Sequence, residues 1–181
     1  FQGGRWNNNY KWKSQNNQQV VKSFAKFGNF NELTTSKMNQ IITAFNDEIK
    51  STSQFQSPFL VKFLGKLKGN TSQVIGFITE YLSGGSLSSY LSEKSFNDVS
   101  IEQRFQYAMQ IAQGIKCLHD NQSMHRDLKG QNVCLTSDKS LMKLIDFQTV
   151  KTSDEITTTM SSIGLKNTSI AGTYNWMAPE Q

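Results

Sequence analysis

The stretch that decides the fold is His125-Arg126-Asp127-Leu128-Lys129-Gly130-Gln131-Asn132. It contains a carboxylate at Asp127, an ammonium at Lys129 and a carboxamide at Asn132, so one loop can present an acid, a cation and an amide to a single reaction centre. An ordinary polar loop also contains such residues, and for Asp127 alone that interpretation is the simpler one. The spacing of all three residues favours a catalytic loop.

Two further motifs follow the loop in a fixed order. Asp146-Phe147 comes after two short strand-like segments, and Ala178-Pro179-Glu180 comes after a Ser- and Thr-rich loop at residues 148–172. Phosphoryl transfer requires metal ions held in position and a carboxylate beside the attacking hydroxyl, and it requires little covalent chemistry. The order of these motifs therefore indicates a phosphoryl-transfer site.

With these motifs the chain resembles a protein kinase domain of the tyrosine-kinase-like group, whose members are mostly serine/threonine kinases. The resemblance covers nearly the whole sequence. It implies an α+β, two-lobed kinase fold, with an N-terminal β-sheet lobe that contains one long helix and an incomplete helical C-terminal lobe. Residues 1–82 are expected to form the N-terminal lobe and hinge, and residues 83–181 the partial C-terminal lobe, which ends at the Ala-Pro-Glu segment.

The resemblance also assigns roles around the catalytic loop. Asp127 is expected to accept or orient the substrate hydroxyl, Lys129 to steady the transferred phosphate, and Asn132 and Asp146 to bind Mg²⁺. Lysine at position 129 is typical of serine/threonine kinases, and Thr173 matches a family threonine that lies near the catalytic aspartate. The implied partners are ATP, Mg²⁺ and a protein substrate with a serine or threonine acceptor.

In the N-terminal part, Val20-Val21-Lys22 resembles the Val-Ala-Ile-Lys strand of kinases. Lys22 is therefore expected to contact the α- and β-phosphates of ATP and to pair with Glu48. A single lysine more often lies on the surface, and a helical glutamate is often solvated, so both assignments depend on the resemblance.

The segment Thr79-Glu80-Tyr81-Leu82 resembles the kinase hinge. Backbone groups near Glu80 and Leu82 are expected to bind adenine, with Thr79 as a small gatekeeper. Val20 above the adenine and Cys134 below it fit the same site, although each could equally be an ordinary core residue.

Two departures from the family pattern bear on activity. Gln148 stands where the family has glycine after Asp146-Phe147, which predicts a stiffer or altered metal-binding loop rather than a loss of metal binding. Only Gly3 and Gly4 remain of a glycine-rich loop, so they are weak candidates for nucleotide contacts. These departures motivate an alternative hypothesis, a pseudokinase that binds nucleotide or a protein partner with little phosphoryl transfer. The chain alone is expected to be inactive, because kinases have further helices after the Ala-Pro-Glu segment.

Composition limits the other possibilities. The net charge is +5, but the basic residues are scattered, so no nucleic-acid partner is expected. The two cysteines, Cys117 and Cys134, match no metal-binding spacing and indicate a reducing, cytoplasmic location. No apolar stretch approaches the roughly 20 residues that cross a bilayer. The sequence does not determine the oligomeric state.

Periodicity predicts the elements that carry these motifs. A hairpin is expected within residues 1–22, antiparallel strands at 60–64 and 74–78, a short helix capped by Ser86, and a strand pair at 133–135 and 141–145. An amphipathic helix is predicted at 31–52, with a buried face of Leu33, Met38, Ile41, Ile42, Phe45 and Ile49. A second helix is predicted at 101–119, with a buried stripe of Ile101, Phe105, Ala108, Ile111, Ala112, Ile115 and Leu118.

Overall fold

The computed structural model describes residues 7–13, 18–25, 34–68, 74–95, 98–152 and 172–177. The chain divides into two compact units, residues 1–56 with 61–81 and residues 57–60 with 82–181. Strands and helices occur together, so the fold is α+β, as predicted. The predicted lobe boundary after residue 82 stays a prediction, and Gly3 and Gly4 lie outside the described residues.

The described residues of the first unit form a four-stranded antiparallel sheet with the order β1-β2-β4-β3. Its strands are β1 (Asn7–Lys13), β2 (Gln19–Ala25), β3 (Phe63–Lys68) and β4 (Val74–Glu80). The predicted hairpin and the predicted antiparallel pair are both confirmed. The strand predicted at 60–64 begins too early, because the apolar residues at positions 60 and 61 are buried without belonging to β3.

One long helix, α1 (Thr35–Gln54), packs on this sheet. Thr34 caps it, because its hydroxyl accepts a hydrogen bond from the Lys37 amide at 3.3 Å. Three residues of the predicted apolar face are buried, namely Ile41, Phe45 and Ile49. Phe77 of β4 joins Phe45 and Ile49 in one core cluster. The face of β4 that contains Phe77 is therefore the face covered by α1.

The second unit begins with α2 (Leu87–Ser92), which Ser86 caps as predicted, and continues with α3 (Ile101–Asp120). Two small antiparallel pairs follow: β5 (Ser123–Met124) with β8 (Lys151–Thr152), and β6 (Val133–Leu135) with β7 (Met142–Leu144). The pair of β6 with β7 is confirmed. The pair of β5 with β8 was not predicted, because two-residue strands carry no detectable periodicity.

The predicted buried stripe of α3 is wrong over most of its length. Ile101 is 58% exposed and Phe105 is 66% exposed, and the alanines at 108 and 112 are exposed as well. The buried residues of the helix are Tyr107, Gly114 and Leu118, of which only Leu118 was predicted. The packed face is therefore rotated away from the most apolar face.

Gly114 explains this rotation. A Cβ atom at Gly114 would lie 3.0 Å from the Phe59 carbonyl oxygen and 3.1 Å from Leu144 Cδ1, so any larger residue would require these neighbours to shift. The Tyr107 hydroxyl donates to the Lys139 carbonyl at 3.0 Å, on the same side of the helix. The close approach at Gly114 and the hydrogen bond of Tyr107 thus determine which face of α3 is packed.

Neither α3 nor another helix in the described ranges is long and apolar enough to span a bilayer.

Candidate active site

Asp127 lies in the loop between β5 and β6 and is held by three side chains. Its Oδ1 accepts a hydrogen bond from the Thr173 hydroxyl at 2.8 Å. Its Oδ2 accepts from the Lys129 ammonium at 2.7 Å and from the Asn132 carboxamide nitrogen at 3.0 Å. The structure therefore brings together the three residues singled out in the loop, and it places Thr173 beside Asp127 as the family resemblance implied.

These contacts control the charge of Asp127. Burial by itself raises the pKa of its carboxyl group, but the hydrogen bonds from Lys129 and Thr173 outweigh burial, so the pKa lies below the usual value of 3.8. The group is a carboxylate at neutral pH. Lys129 Nζ also donates to the Thr173 hydroxyl at 2.6 Å, which fixes the ammonium beside the carboxylate. The arrangement can accept and orient a substrate hydroxyl.

The backbone around Asp127 is held by buried contacts of His125. The Nε2 atom of His125 lies 3.1 Å from the Ile145 carbonyl oxygen, and Nδ1 accepts a bond from the Asp127 amide at 3.4 Å. Burial lowers the pKa of His125 below 6.5, so the ring is neutral and donates from Nε2. Arg126 has a φ of 64°, a left-handed conformation that is uncommon for a residue other than glycine.

Asn132 and Asp146 are the candidate metal ligands. The Asn132 carboxamide nitrogen is directed at Asp127, and the backbone of Asn132 is tied to the residue before Asp146, because the Ile145 amide donates to the Asn132 carbonyl at 2.9 Å. Burial raises the pKa of Asp146, so a cation beside this carboxylate would relieve an unfavourable desolvation.

The two donor groups fit Mg²⁺, because this ion is usually bound by one or two carboxylates together with phosphate oxygens and water. Within the described part of the chain, no group of three or more His, Cys, Asp or Glu residues could hold a metal ion. Asn132 and Asp146 therefore suit a metal that arrives with a phosphate ligand better than a metal held by protein alone.

Gln148 follows Asp146 and Phe147 in a turn. Asp146 has a φ of 65°, whereas Gln148 is not among the described non-glycine residues with positive φ. The left-handed backbone falls on the aspartate, so this conformation does not require glycine at position 148. Phe147 is fully buried, with its ring edge-on to His125 at a centroid distance of 5.8 Å. The predicted stiffness of the metal loop stays a prediction.

In the first unit, the Lys22 ammonium lies 4.0 Å from the centre of the Trp12 ring. Lys22 is opposite Ile78 in the sheet and Ser23 is opposite Phe77. Because successive side chains of a strand point to opposite faces, Lys22 lies on the face opposite to Phe77.

Glu48 belongs to α1 and is buried, and α1 covers the Phe77 face of the sheet. Lys22 therefore points away from the helix that carries Glu48. This register directs Lys22 to the face opposite α1, and the predicted pairing of Lys22 with Glu48 stays a prediction.

Hydrogen bonds next to the sheet already use some of the polar groups of the predicted hinge residues. Thr79 is buried and lies on the same face of β4 as Phe77. The Glu80 amide donates to the Lys62 carbonyl at 3.0 Å, and the Glu80 carboxylate accepts from the Lys62 amide at 2.7 Å. The Glu80 N–H is therefore not a donor for adenine. The Glu80 carbonyl and the backbone of Leu82 remain predicted contacts.

Val20 and Cys134 were predicted to enclose the adenine. Val20 is buried in β2, and Cys134 is half-buried in β6. Burial raises the pKa of the Cys134 thiol to about 11, so the thiol is a poor nucleophile at neutral pH. Their contact with a nucleotide stays a prediction.

Sequence reasoning did not identify two residues near these groups. Thr149 donates from its hydroxyl to the His125 carbonyl at 2.7 Å, which ties the segment after Asp146 to the catalytic loop. Trp12 lies against the Lys22 ammonium. Position in the chain could have indicated Thr149, which directly follows the metal motif. Trp12 could be found only from the register of the hairpin.

Comparison with known families agrees with this geometry. The model of the protein kinase domain matches residues 9–181. The chain belongs to the protein kinase family. The resemblance inferred from the catalytic loop is therefore confirmed.

The kinase domain is similar to several curated proteins. It is 34% identical over 149 residues to the serine/threonine/tyrosine-protein kinase HT1 of Arabidopsis thaliana, covering 82% of this chain and 35% of that protein. It is 34% identical over 139 residues to the RGS domain-containing serine/threonine-protein kinase A of Dictyostelium discoideum, covering 77% and 11%. It is 32% identical over 139 residues to the mitogen-activated protein kinase kinase kinase 3 of Mus musculus, covering 77% and 21%. The chain thus spans about a third or less of the length of these relatives.

Proposed function

We propose that this kinase domain transfers the γ-phosphoryl group of ATP, bound with Mg²⁺, to the hydroxyl of a serine or threonine in a protein substrate. The observation that carries the proposal is the Asp127 carboxylate, which is kept ionised and oriented by Lys129, Thr173 and Asn132. A substrate hydroxyl that donates to this carboxylate is oriented for attack on the phosphoryl group.

Each residue of the loop has a distinct part in this reaction. Asp127 accepts the hydrogen bond of the acceptor hydroxyl and fixes the direction of its lone pair. The Lys129 ammonium, held between Asp127 and Thr173, offsets negative charge on the transferred phosphoryl group. Asn132 and Asp146 would hold Mg²⁺, which when bound neutralises phosphate oxygens.

Two observations support serine or threonine as the acceptor. Lys129 contacts both Asp127 and Thr173, so the residue that is typical of serine/threonine kinases is part of the site. The relative from Dictyostelium discoideum is named a serine/threonine-protein kinase, and the one from Arabidopsis thaliana is named a serine/threonine/tyrosine-protein kinase. Relatives named as kinases favour the enzyme over the pseudokinase alternative.

The test is a phosphorylation assay on the full-length protein that contains this chain. Mg-ATP labelled in the γ position and a generic basic protein are the substrates, and Asp127→Asn is the control because it keeps the shape of the side chain without its charge. The wild type is expected to exceed the control by about 10²- to 10⁴-fold. Analysis of the labelled amino acids should give phosphoserine or phosphothreonine. Equal incorporation by both proteins would contradict the proposal, and phosphotyrosine alone would contradict the acceptor class.

A further inference from the structure

The ammonium of Lys22 already has a partner in the first unit. Its Nζ lies 4.0 Å from the centre of the Trp12 ring, within the range of a cation–π interaction, and tryptophan is the strongest aromatic partner for a cation. The Trp12 ring is 55% exposed, so the contact does not result from close packing in the core. Attraction between the charge and the ring accounts for the position of the ammonium.

The register of the hairpin makes this contact possible. Trp12 is opposite Val20 and Tyr10 is opposite Lys22, so Trp12 and Lys22 are diagonal neighbours on one face. Tyr10 is the direct neighbour of Lys22, but its ring packs edge-on against Phe24 at a centroid distance of 5.9 Å. Trp12 is therefore the ring to which Lys22 is bound.

The same register separates Lys22 from α1. Ser23 and not Lys22 shares a face with Phe77, and Phe77 packs on α1, which carries Glu48. An interaction of the ammonium with the phosphates of ATP competes with its contact with the Trp12 ring, because both attract the same Nζ charge. A phosphate oxygen forms a stronger contact with an ammonium than an exposed ring does, so the nucleotide can displace the ring at a cost.

We propose that Trp12 is a positioning residue that holds Lys22 in a resting position and competes with the nucleotide phosphates for its ammonium. This inference rests on the proposed function. Trp12 thereby controls the affinity of the protein for the nucleotide. It acts through Lys22, so it affects the binding of the phosphates and not the binding of the adenine. Removal of the ring releases Lys22 and therefore tightens the binding of ATP.

The experiment is calorimetric titration of the full-length protein with Mg-ATP and, separately, with adenosine. Trp12→Ala is expected to lower the Kd for Mg-ATP about two- to fivefold, the factor that corresponds to an exposed cation–π contact. It should leave the Kd for adenosine unchanged. In a Lys22→Met background, Trp12→Ala should have no effect on either ligand. Tyr10→Ala is the matched control, because Tyr10 is an exposed aromatic residue on the same face of the same strand but contacts Phe24.

The possible outcomes separate the two proposals. Equal Kd values for Mg-ATP in wild type and Trp12→Ala, with normal binding by the wild type, would overturn the role of Trp12 alone. Weaker binding in Trp12→Ala, or the same change in Tyr10→Ala, would also overturn it. A wild type that binds no Mg-ATP would overturn the proposed function, and the role of Trp12 with it.

Discussion

The catalytic loop and the strand that carries Lys22 are both recognisable from sequence motifs, but their motif residues differ in the contacts that they make in the structure. In the loop, Asp127, Lys129 and Asn132 meet through direct hydrogen bonds. In β2, Lys22 faces away from the helix that carries its predicted partner Glu48 and binds the ring of Trp12.

The difference follows from how the chain connects the residues of each motif. Residues within a short loop are kept close by the chain itself, so their spacing alone predicts that they meet. Lys22 and Glu48 belong to separate elements, and their meeting depends on which face of the strand each residue occupies. Because side chains alternate along a strand, a shift of one residue moves a side chain to the other face.

Among the substitutions that test this comparison, the largest expected effect concerns the contact that joins the catalytic loop to Thr173. Thr173→Val removes the hydroxyl that bridges Asp127 and Lys129 while keeping the shape of the side chain. Hydrogen bonds to charged groups contribute about 1.5–3 kcal/mol, so the rate of phosphoryl transfer should fall about 10- to 100-fold. Thr173→Ser keeps the hydroxyl and should retain most of the rate. Equal rates in both variants would show that the bridge does not matter.

The close approach of α3 to β7 can be tested with Gly114→Ala. The added Cβ would lie 3.0 Å from the Phe59 carbonyl oxygen and 3.1 Å from Leu144 Cδ1. Crowding should exceed the gain in helix propensity and lower the free energy of unfolding by about 1–2 kcal/mol in urea denaturation. Gln113→Ala, at the exposed neighbouring position, should change it by less than about 0.5 kcal/mol. A stabilised Gly114→Ala protein would contradict the close approach.

The register of the hairpin can be tested at Ser23, which is buried and donates from its hydroxyl to the Asn9 carboxamide oxygen at 2.7 Å. Ser23→Ala should lower the free energy of unfolding by about 1 kcal/mol, the usual effect of losing one hydrogen bond. In an Asn9→Ala background, Ser23→Ala should lower the free energy of unfolding by clearly less. An equal cost in both backgrounds would contradict the pairing of these residues, and with it the face assigned to Lys22.

The smallest expected effect is a pH dependence that originates in the catalytic loop. The folded-state pKa of His125 is lowered by burial below 6.5, so protonation favours the unfolded chain. Its contribution to stability is complete above pH 6.5 and is lost as the pH falls through the folded-state pKa. Denaturation above and below pH 6.5 should show this loss in wild type and in His119→Gln, where an exposed histidine is replaced. If His125→Gln shows the same loss, the effect has another origin.

Much of the fold could be predicted because the relevant signals are local. The cap residue Ser86, the apolar spacing of Ile41, Phe45 and Ile49, and the antiparallel strand pairs all depend on neighbours in the sequence. The orientation of α3 could not be predicted in the same way. Its packed face is set by Gly114 and Tyr107, which contact residues far away in the chain.

The candidate site shows the same limit. Thr173 was predicted beside Asp127 only through the family resemblance, since 46 positions separate them. The hydrogen bond of the Glu80 amide to Lys62 and the contact of Trp12 with Lys22 both result from strand pairing. Neither has a signature in the order of residues.

By itself the sequence determined that this chain is a kinase domain and which residues of the catalytic loop act together, because a short loop keeps its side chains close in any fold that contains it. Only the tertiary structure decided which face of α3 is packed and where the Lys22 ammonium lies. Those features depend on register and on close approach between distant segments. A shift of one residue in the strand register, or a single missing Cβ atom, changes these two features. Neither change alters the apolar pattern from which secondary structure is predicted.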